Sequence, residues 1–220
     1  MAVPGEHHPA FEEYCETIFE LREDDLDVIQ ARIADRLRVS RPSVSEMIKR
    51  MSDESLIEVA GGKITLTDTG EELAVRVVRR HRIAERFITD ILGLSWSLAH
   101  REAGRWEHVM SHEVEVAMSS LLGEPTTCPH GNPIPGSGYT PPSAKKLSEL
   151  SSGQEFIISR IPEELEFTPG MLEFLENSHL VPGSHGTVQI GAEAGDMTVL
   201  IDGTSVTVDS YATARILVTV

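Results

Sequence analysis

The chain has 220 residues, 40% of them hydrophobic, and a net charge of −16. It is long enough for two or three small domains with real cores, and no apolar run approaches the length of a membrane span. Its two cysteines, Cys15 and Cys128, stand far apart, which argues against a secreted disulfide scaffold; the opening stretch MAVPGEHHPA has neither the basic start nor the apolar centre of a signal peptide, so a cytoplasmic protein is expected.

Residues 9–23 place Phe11, Tyr14, Cys15, Ile18, Phe19 and Leu21 near a 3.6-residue period and predict a helix. Residues 27–38 predict a second, with Ile29, Ile33, Ala34 and Leu37 inward. In VSRPSVSEMIKRMSDESL, Ser40 suits an N-cap or a turn and Pro42 the first helical position, while Val44, Met47, Ile48 and Met51 form the apolar side. LIEVAGGKITLT then gives two β-rich runs about Gly61-Gly62, a hairpin signal. Helix, turn, helix, hairpin is the order of a winged helix-turn-helix. A long helix is expected over 69–92, a break at GLSW, and further helix to about residue 122. Residues 123–143, dense in Pro and Gly, read as a linker. Beyond it EFIISRI, GTVQIGA, MTVLIDG, TSVTVDS and ARILVTV are short strands at regular spacing, as in a small β-barrel or sandwich. The expected fold is mainly α with a β-rich C-terminal domain, divided at 1–74, 75–142 and 143–220.

The charge is unevenly spread. Residues 30–50 carry Arg32, Arg36, Arg38, Arg41, Lys49 and Arg50 against only Asp35 and Glu46, so one short segment is basic in an acidic protein. Ser40, Pro42, Ser43 and Ser45 fall at the start of the recognition helix, the part that reaches base edges. Arg32, Arg41, Lys49, Arg50 and, at the hairpin tip, Lys63 suit phosphates. Glu46 is unusual on such a surface, because it can only accept, and only the amino groups of cytosine and adenine offer it a major-groove donor. The partner expected is double-stranded DNA.

AHREAGRWEHVMSHEVE, residues 99–115, crowds histidine and glutamate onto few turns. His81 and Glu85, at i and i+4 on the long helix, share a face, with His100 on the next helix. Glu13 and Glu16 share a face of the first helix and, with Glu107 and His108, form an oxygen-rich set suited to Mn²⁺ or Fe²⁺. Each group taken alone reads first as an ordinary solvated face. Trp106 and Cys15 read as core. Cys128 and His130 could bind metal, but no second pair completes a site. No H-E-x-x-H, G-x-S-x-G or phosphate-cradling glycine loop supports an enzyme or a small organic substrate.

The segments ETIFELRED, ARIADRLRVSRPSVSEMIKRM, LTDTGEELA, RRHRIAERFITDILGL, HREAGRWEHVMSHEVE and CPHGNPIPG resemble the diphtheria toxin repressor family of metal-dependent transcriptional repressors. The resemblance covers residues 9–142 closely, and the β-rich tail fits the SH3-like domain of the longer members. It implies a homodimer that binds a palindromic operator, with two metal sites per subunit. The ancillary site would match His81, Glu85, His100 and an acidic residue of the SH3-like domain, Glu166 or else Glu163 or Glu164, with Gly170 where the family carries glutamine. The primary site would match Glu13, Glu107 and His108. Iron-responsive members carry Met at the Glu13 position and Cys at the Gly104 position. Manganese-responsive members carry Asp at the Glu13 position and Glu at the Glu16 position, which this chain resembles, but Glu at Gly104, where here only a backbone carbonyl could serve. The implied function is metal-activated repression of metal-homeostasis genes, with Mn²⁺ favoured and Fe²⁺ the alternative. A winged-helix regulator with purely structural metals, and a metallohydrolase, are the competing readings.

Overall fold

A computed structural model describes residues 9–191 and 195–220. The first part of the chain builds α1 (Pro9–Glu23), α2 (Gln30–Leu37), α3 (Arg41–Asp53) and a hairpin of β1 (Ile57–Ala60) with β2 (Lys63–Leu66). Ser40 caps α3 by accepting a hydrogen bond from Ser43 N at 3.2 Å, with proline in the first turn where a missing N–H costs nothing. Gly61 and Gly62 both adopt positive φ, 58° and 82°, as a tight hairpin turn twisted to match its strands requires. Phe11, Ile18, Leu21, Ile33, Val44, Met51, Leu56 and Ile64 share one core. α4 (Asp68–Asp90) leaves this core and runs on into α5 (Trp96–Trp106) and α6 (His112–Leu121).

The last part is an antiparallel sheet in the order β3-β8-β4-β5-β6-β7, where β3 is Lys145–Lys146, β4 Glu155–Arg160, β5 His185–Ile190, β6 Met197–Ile201, β7 Thr204–Val208 and β8 Leu217–Thr219. Register shifts after Ile158 and Val188 mark bulges, which bend strands. Three short helices, α7 (Glu163–Glu166), α8 (Met171–Asn177) and α9 (Ser210–Thr213), cover the sheet and were not expected from the strand pattern. This second core takes in Trp96 from the start of α5. The Trp96 N–H donates to both carboxylate oxygens of Glu176 at 3.2 Å, so an acidic side chain from α8 satisfies the helix N-terminus. α5 is thereby seated on the C-terminal sheet domain while packing along α4, which fixes where His100 points. No helix among the described residues is long and apolar enough to cross a membrane.

Candidate metal centre and nucleic-acid face

The linker is the least expected contributor to the centre. Cys128 N donates to Asn132 O at 2.9 Å and Gly131 N to Cys128 O at 3.0 Å, closing a tight turn. Gly131 stands at φ 86°, and a Cβ there would lie 2.4 Å from Ser159 O, so only glycine lets the turn meet β4. His130 O accepts from Ile161 N at 2.8 Å, and Asn132 Nδ2 donates to Ile161 O at 3.0 Å and Glu166 Oε1 at 2.7 Å. The turn thus delivers fully buried Cys128 and His130 side chains to the face of α4.

There Glu85, fully buried, is the meeting point. Its carboxylate lies 3.2 Å from His81 Nε2, 3.0 Å from His100 Nδ1 and 3.5 Å from His130 Nδ1. Glu166 approaches His100 at 3.2 Å and His130 at 2.9 Å. Cys128 Sγ is 3.8 Å from His130 Nδ1. Donor atoms of His81, Glu85 and His100, and of Glu85, Cys128 and His130, lie within 4.8 Å of one another. We call this the inner cluster. Of the three carboxylates weighed from the sequence, Glu166 stands here. Glu163 instead faces Arg82 at 2.9 Å and Glu164 faces Arg215 at 2.7 Å. Gly170 caps the start of α8 and offers no side chain.

A second cluster lies on the other side of His81. Its Nδ1 is 2.5 Å from Glu107 Oε2 and 3.9 Å from Glu16 Oε1. His108 Nε2 is 3.2 Å from Glu107, and its Nδ1 is 2.8 Å from Glu12. Glu13, expected at this site, is exposed, whereas Glu12 is buried at the cluster. The reason is helical phase. Glu12, Glu16 and Glu20 recur every four residues and all are buried, whereas Glu13 is turned about 100° away. Gly104 lies within α5, and a Cβ there would meet nothing within 4 Å. His81, matched by sequence to one site, therefore faces both clusters.

The electrostatics are those of a crowded, buried cluster of carboxylates and imidazoles. Burial pushes the Glu16 carboxyl well up, and the neighbouring charges of Glu107 and Glu20 push it further. Burial opposes charge on His100, but hydrogen bonds and charge from Glu166 and Glu85 outweigh it and raise the imidazole to about 10. Burial also raises Glu85, yet His130 and His81 overcome it and hold that carboxyl well below its usual range. Glu16 Oε1, His81 Nε2, Glu85 Oε2, His130 Nε2 and Glu166 Oε2 are buried without a well-aligned hydrogen-bond partner, although imidazoles and carboxylates crowd together. Buried polar atoms are normally paired. Buried carboxylate and imidazole atoms that converge without pairing are what a divalent cation satisfies once the imidazoles give up their protons.

The remaining site residues lie on one outer face. Ser40, Arg41, Pro42, Ser43, Ser45, Glu46, Lys49 and Arg50 are exposed along α3, while Val44, Ile48 and Met51 are buried beneath them. Arg32 is half-buried on α2, and exposed Lys63 pairs with Asp27 at 3.0 Å. Arg50 lies over the Phe11 ring at 5.3 Å. Sequence reasoning passed over Glu12 and Asn132. It noticed Cys128 and His130, but their partners Glu85 and Glu166 are distant in the chain.

Comparison with known proteins matches residues 8–63 to the iron dependent repressor N-terminal DNA binding domain, 67–136 to the iron dependent repressor metal binding and dimerisation domain, and 145–220 to the FeoA domain. The iron-dependent repressor IdeR of Mycobacterium leprae is 38% identical over 204 residues, 87% of this chain and 88% of that one. The diphtheria toxin repressor of Corynebacterium glutamicum is 37% identical over 205 residues, 89% of each chain. Among solved structures, a manganese-dependent transcriptional repressor in complex with manganese superposes with TM-score 0.84 at 31% identity, covering 95% of this chain and 99% of the other. The IdeR of T. acidophilum gives 0.76 at 30% identity, covering 95% and 97%.

Proposed function

The chain belongs to the iron-dependent repressor family, and from that premise we propose that it is a metal-activated transcriptional repressor with two cation seats per subunit, acting in the cytoplasm as a homodimer on a palindromic operator. The inner seat is His81, Glu85, His100, Cys128, His130 and Glu166. The outer seat is Glu12, Glu16, Glu107 and His108, with His81 between them. The observation that carries the reading is the set of buried, unaligned atoms drawn from α1, α4, the linker and α7, with His100 of α5 beside them. A bound divalent cation supplies positive charge that neutralises the crowded carboxylates. Glu12 and Glu16 stand on α1, whose apolar side packs into the helix-turn-helix core, and Glu107 and His108 follow the end of α5. Drawing these together fixes the angle between the DNA-binding part and the dimer core, and so the spacing of two recognition helices. The exposed Val109, Val114, Val116 and Leu121, with Val109 at 81%, supply an apolar face for a second copy.

The oxygen-rich outer seat favours Mn²⁺. The buried Cys128 thiol at the inner seat favours a softer ion and supports Fe²⁺ as the alternative. The test is operator binding titrated with both metals under anaerobic conditions. Glu107→Ala or His108→Ala should abolish metal-activated binding while leaving a folded dimer. Operator binding at parent strength in either variant would sink the assignment.

Two further results are expected. Ligating imidazoles must be neutral, and His81, His100 and His130 are all held protonated in the metal-free protein by facing carboxylates that outweigh their burial. Metal binding should therefore release protons, and affinity should fall as the pH is lowered. Calorimetry in buffers of unlike protonation enthalpy measures the release; heats independent of buffer would contradict it. On the DNA face, Arg50→Ala should weaken binding to all sequences alike and flatten the salt dependence by about one counterion. A changed sequence preference with an unchanged salt slope would mean that Arg50 reads bases.

A further inference from the structure

Phe167 stands directly after Glu166, at the end of α7. It is 37% exposed and takes no part in the hydrophobic core of its own sheet domain. Its ring is nonetheless held between two specific groups. His100 meets it edge to face, with centroids 5.2 Å apart and planes at 88°. The Arg36 guanidinium lies over it, 4.4 Å from the centroid.

Arg36 belongs to α2 of the helix-turn-helix. Its side chain is 5% exposed, and Nη1 pairs at 3.0 Å with Glu20, which is 4% exposed. Nη2 is buried with no hydrogen-bond acceptor. A planar cation can stack on an aromatic face in a way an ammonium cannot reproduce. Two residues later Arg38 closes α2 in the left-handed conformation, φ 53°, and Ser40 then caps α3. Whatever fixes Arg36 therefore fixes the turn that leads into the exposed start of α3.

We infer that Phe167 is a positioning residue that couples the His100–Glu166 pair to α2 through Arg36, so that loading the inner seat orders the start of the recognition helix. The inference rests on the metal-dependent reading above. Phe167 carries no donor atom, so its effect on DNA-binding geometry is separable from metal affinity. His100 and Glu166, once fixed by ligation, hold the ring on two sides. The ring then offers Arg36 one surface instead of several.

The experiment uses the full chain and Mn²⁺ alone, with no operator needed. Mn²⁺ affinity is measured by calorimetry, and amide hydrogen exchange is followed over residues 30–53 with and without saturating Mn²⁺. In the parent protein these amides should gain protection with metal. Phe167→Leu should bind Mn²⁺ within about threefold of the parent but lose about half or more of that gain. Arg36→Lys, which keeps the charge opposite Glu20, should behave in the same way, and Phe167→Tyr should retain the parent response. The inference is overturned if Phe167→Leu keeps the full gain. It is equally overturned if Phe167→Leu binds Mn²⁺ about tenfold more weakly yet regains full protection at saturation, since the ring would then be only a wall of the metal seat. A parent protein that binds Mn²⁺ with no change over 30–53 also overturns the coupling while leaving the metal seats standing. A parent protein that does not bind Mn²⁺ at all fails the metal reading itself.

Discussion

A Glu85→Gln protein is expected to bind Mn²⁺ or Fe²⁺ about 100-fold more weakly than the parent, or worse, because even removing a partner that only supports a ligand costs 10- to 100-fold. The amide keeps the size of the carboxylate and removes its charge. Three imidazoles, His81, His100 and His130, face that one carboxylate within 3.5 Å. All three lose their common counter-charge, and the inner seat loses the donor that joins its two halves. The Trp96 ring stands against His130 with centroids 4.5 Å apart, so its fluorescence is a local reporter of loading during a chelator-competition titration. Parent affinity in this variant would mean that the cation sits elsewhere and that the cluster is only a buried ion network.

Arg82→Met is expected to destabilise the fold by about 3–5 kcal/mol, the usual cost of removing one partner from a buried charge network. Arg82 is fully buried. It donates to both oxygens of Glu23 at 3.1 and 2.7 Å, to Glu163 at 2.9 Å, and to Pro133 O. Around it Arg160 pairs with Glu23 at 3.1 Å and with Asp24 at 2.5 Å. The end of α1, the middle of α4 and the approach to α7 are therefore joined by one cationic side chain. Glu163 is already raised well above its usual range, by burial first and then by Glu166 and Glu20. Losing Arg82 leaves it buried without its cation. Urea unfolding measures the loss, and adding Glu163→Gln to Arg82→Met should recover part of it. A midpoint unmoved by Arg82→Met would show that water or rearrangement already neutralises this cluster.

The helix-turn-helix was legible in the sequence because its signals are local. The apolar period over 9–23 matches α1, Pro42 stands in the first turn of α3, and the glycine pair turns the hairpin. The five strands expected after the linker correspond to β4 through β8 for the same reason. What stayed hidden depends on distance or on rotation. Glu12 and Glu13 differ by one helical step, and composition alone does not say which carboxylate faces α4 and α5. Cys128 and His130 looked like half a site, since their partners come from the middle of α4 and from α7. Residues 123–143 read as a linker from their Pro and Gly content, yet hydrogen bonds to Ile161, just past the end of β4, pin part of that stretch against the sheet domain.

That fixed turn divides the connection into two lengths with opposite tolerance for change. Residues 140–143 lie exposed, and chain inserted there would add little more than the slowly growing entropy of a longer loop. Between Cys128 and Asn132 a single added residue would shift the histidine off α4 and release Asn132 from Glu166. A free tether would present Glu166 to the centre at an effective concentration on the order of millimolar, set by its own length. With the turn clasped to Ile161 at the end of β4, presentation no longer depends on tether length. The spacer can change in length without altering how Glu166 is presented to the centre.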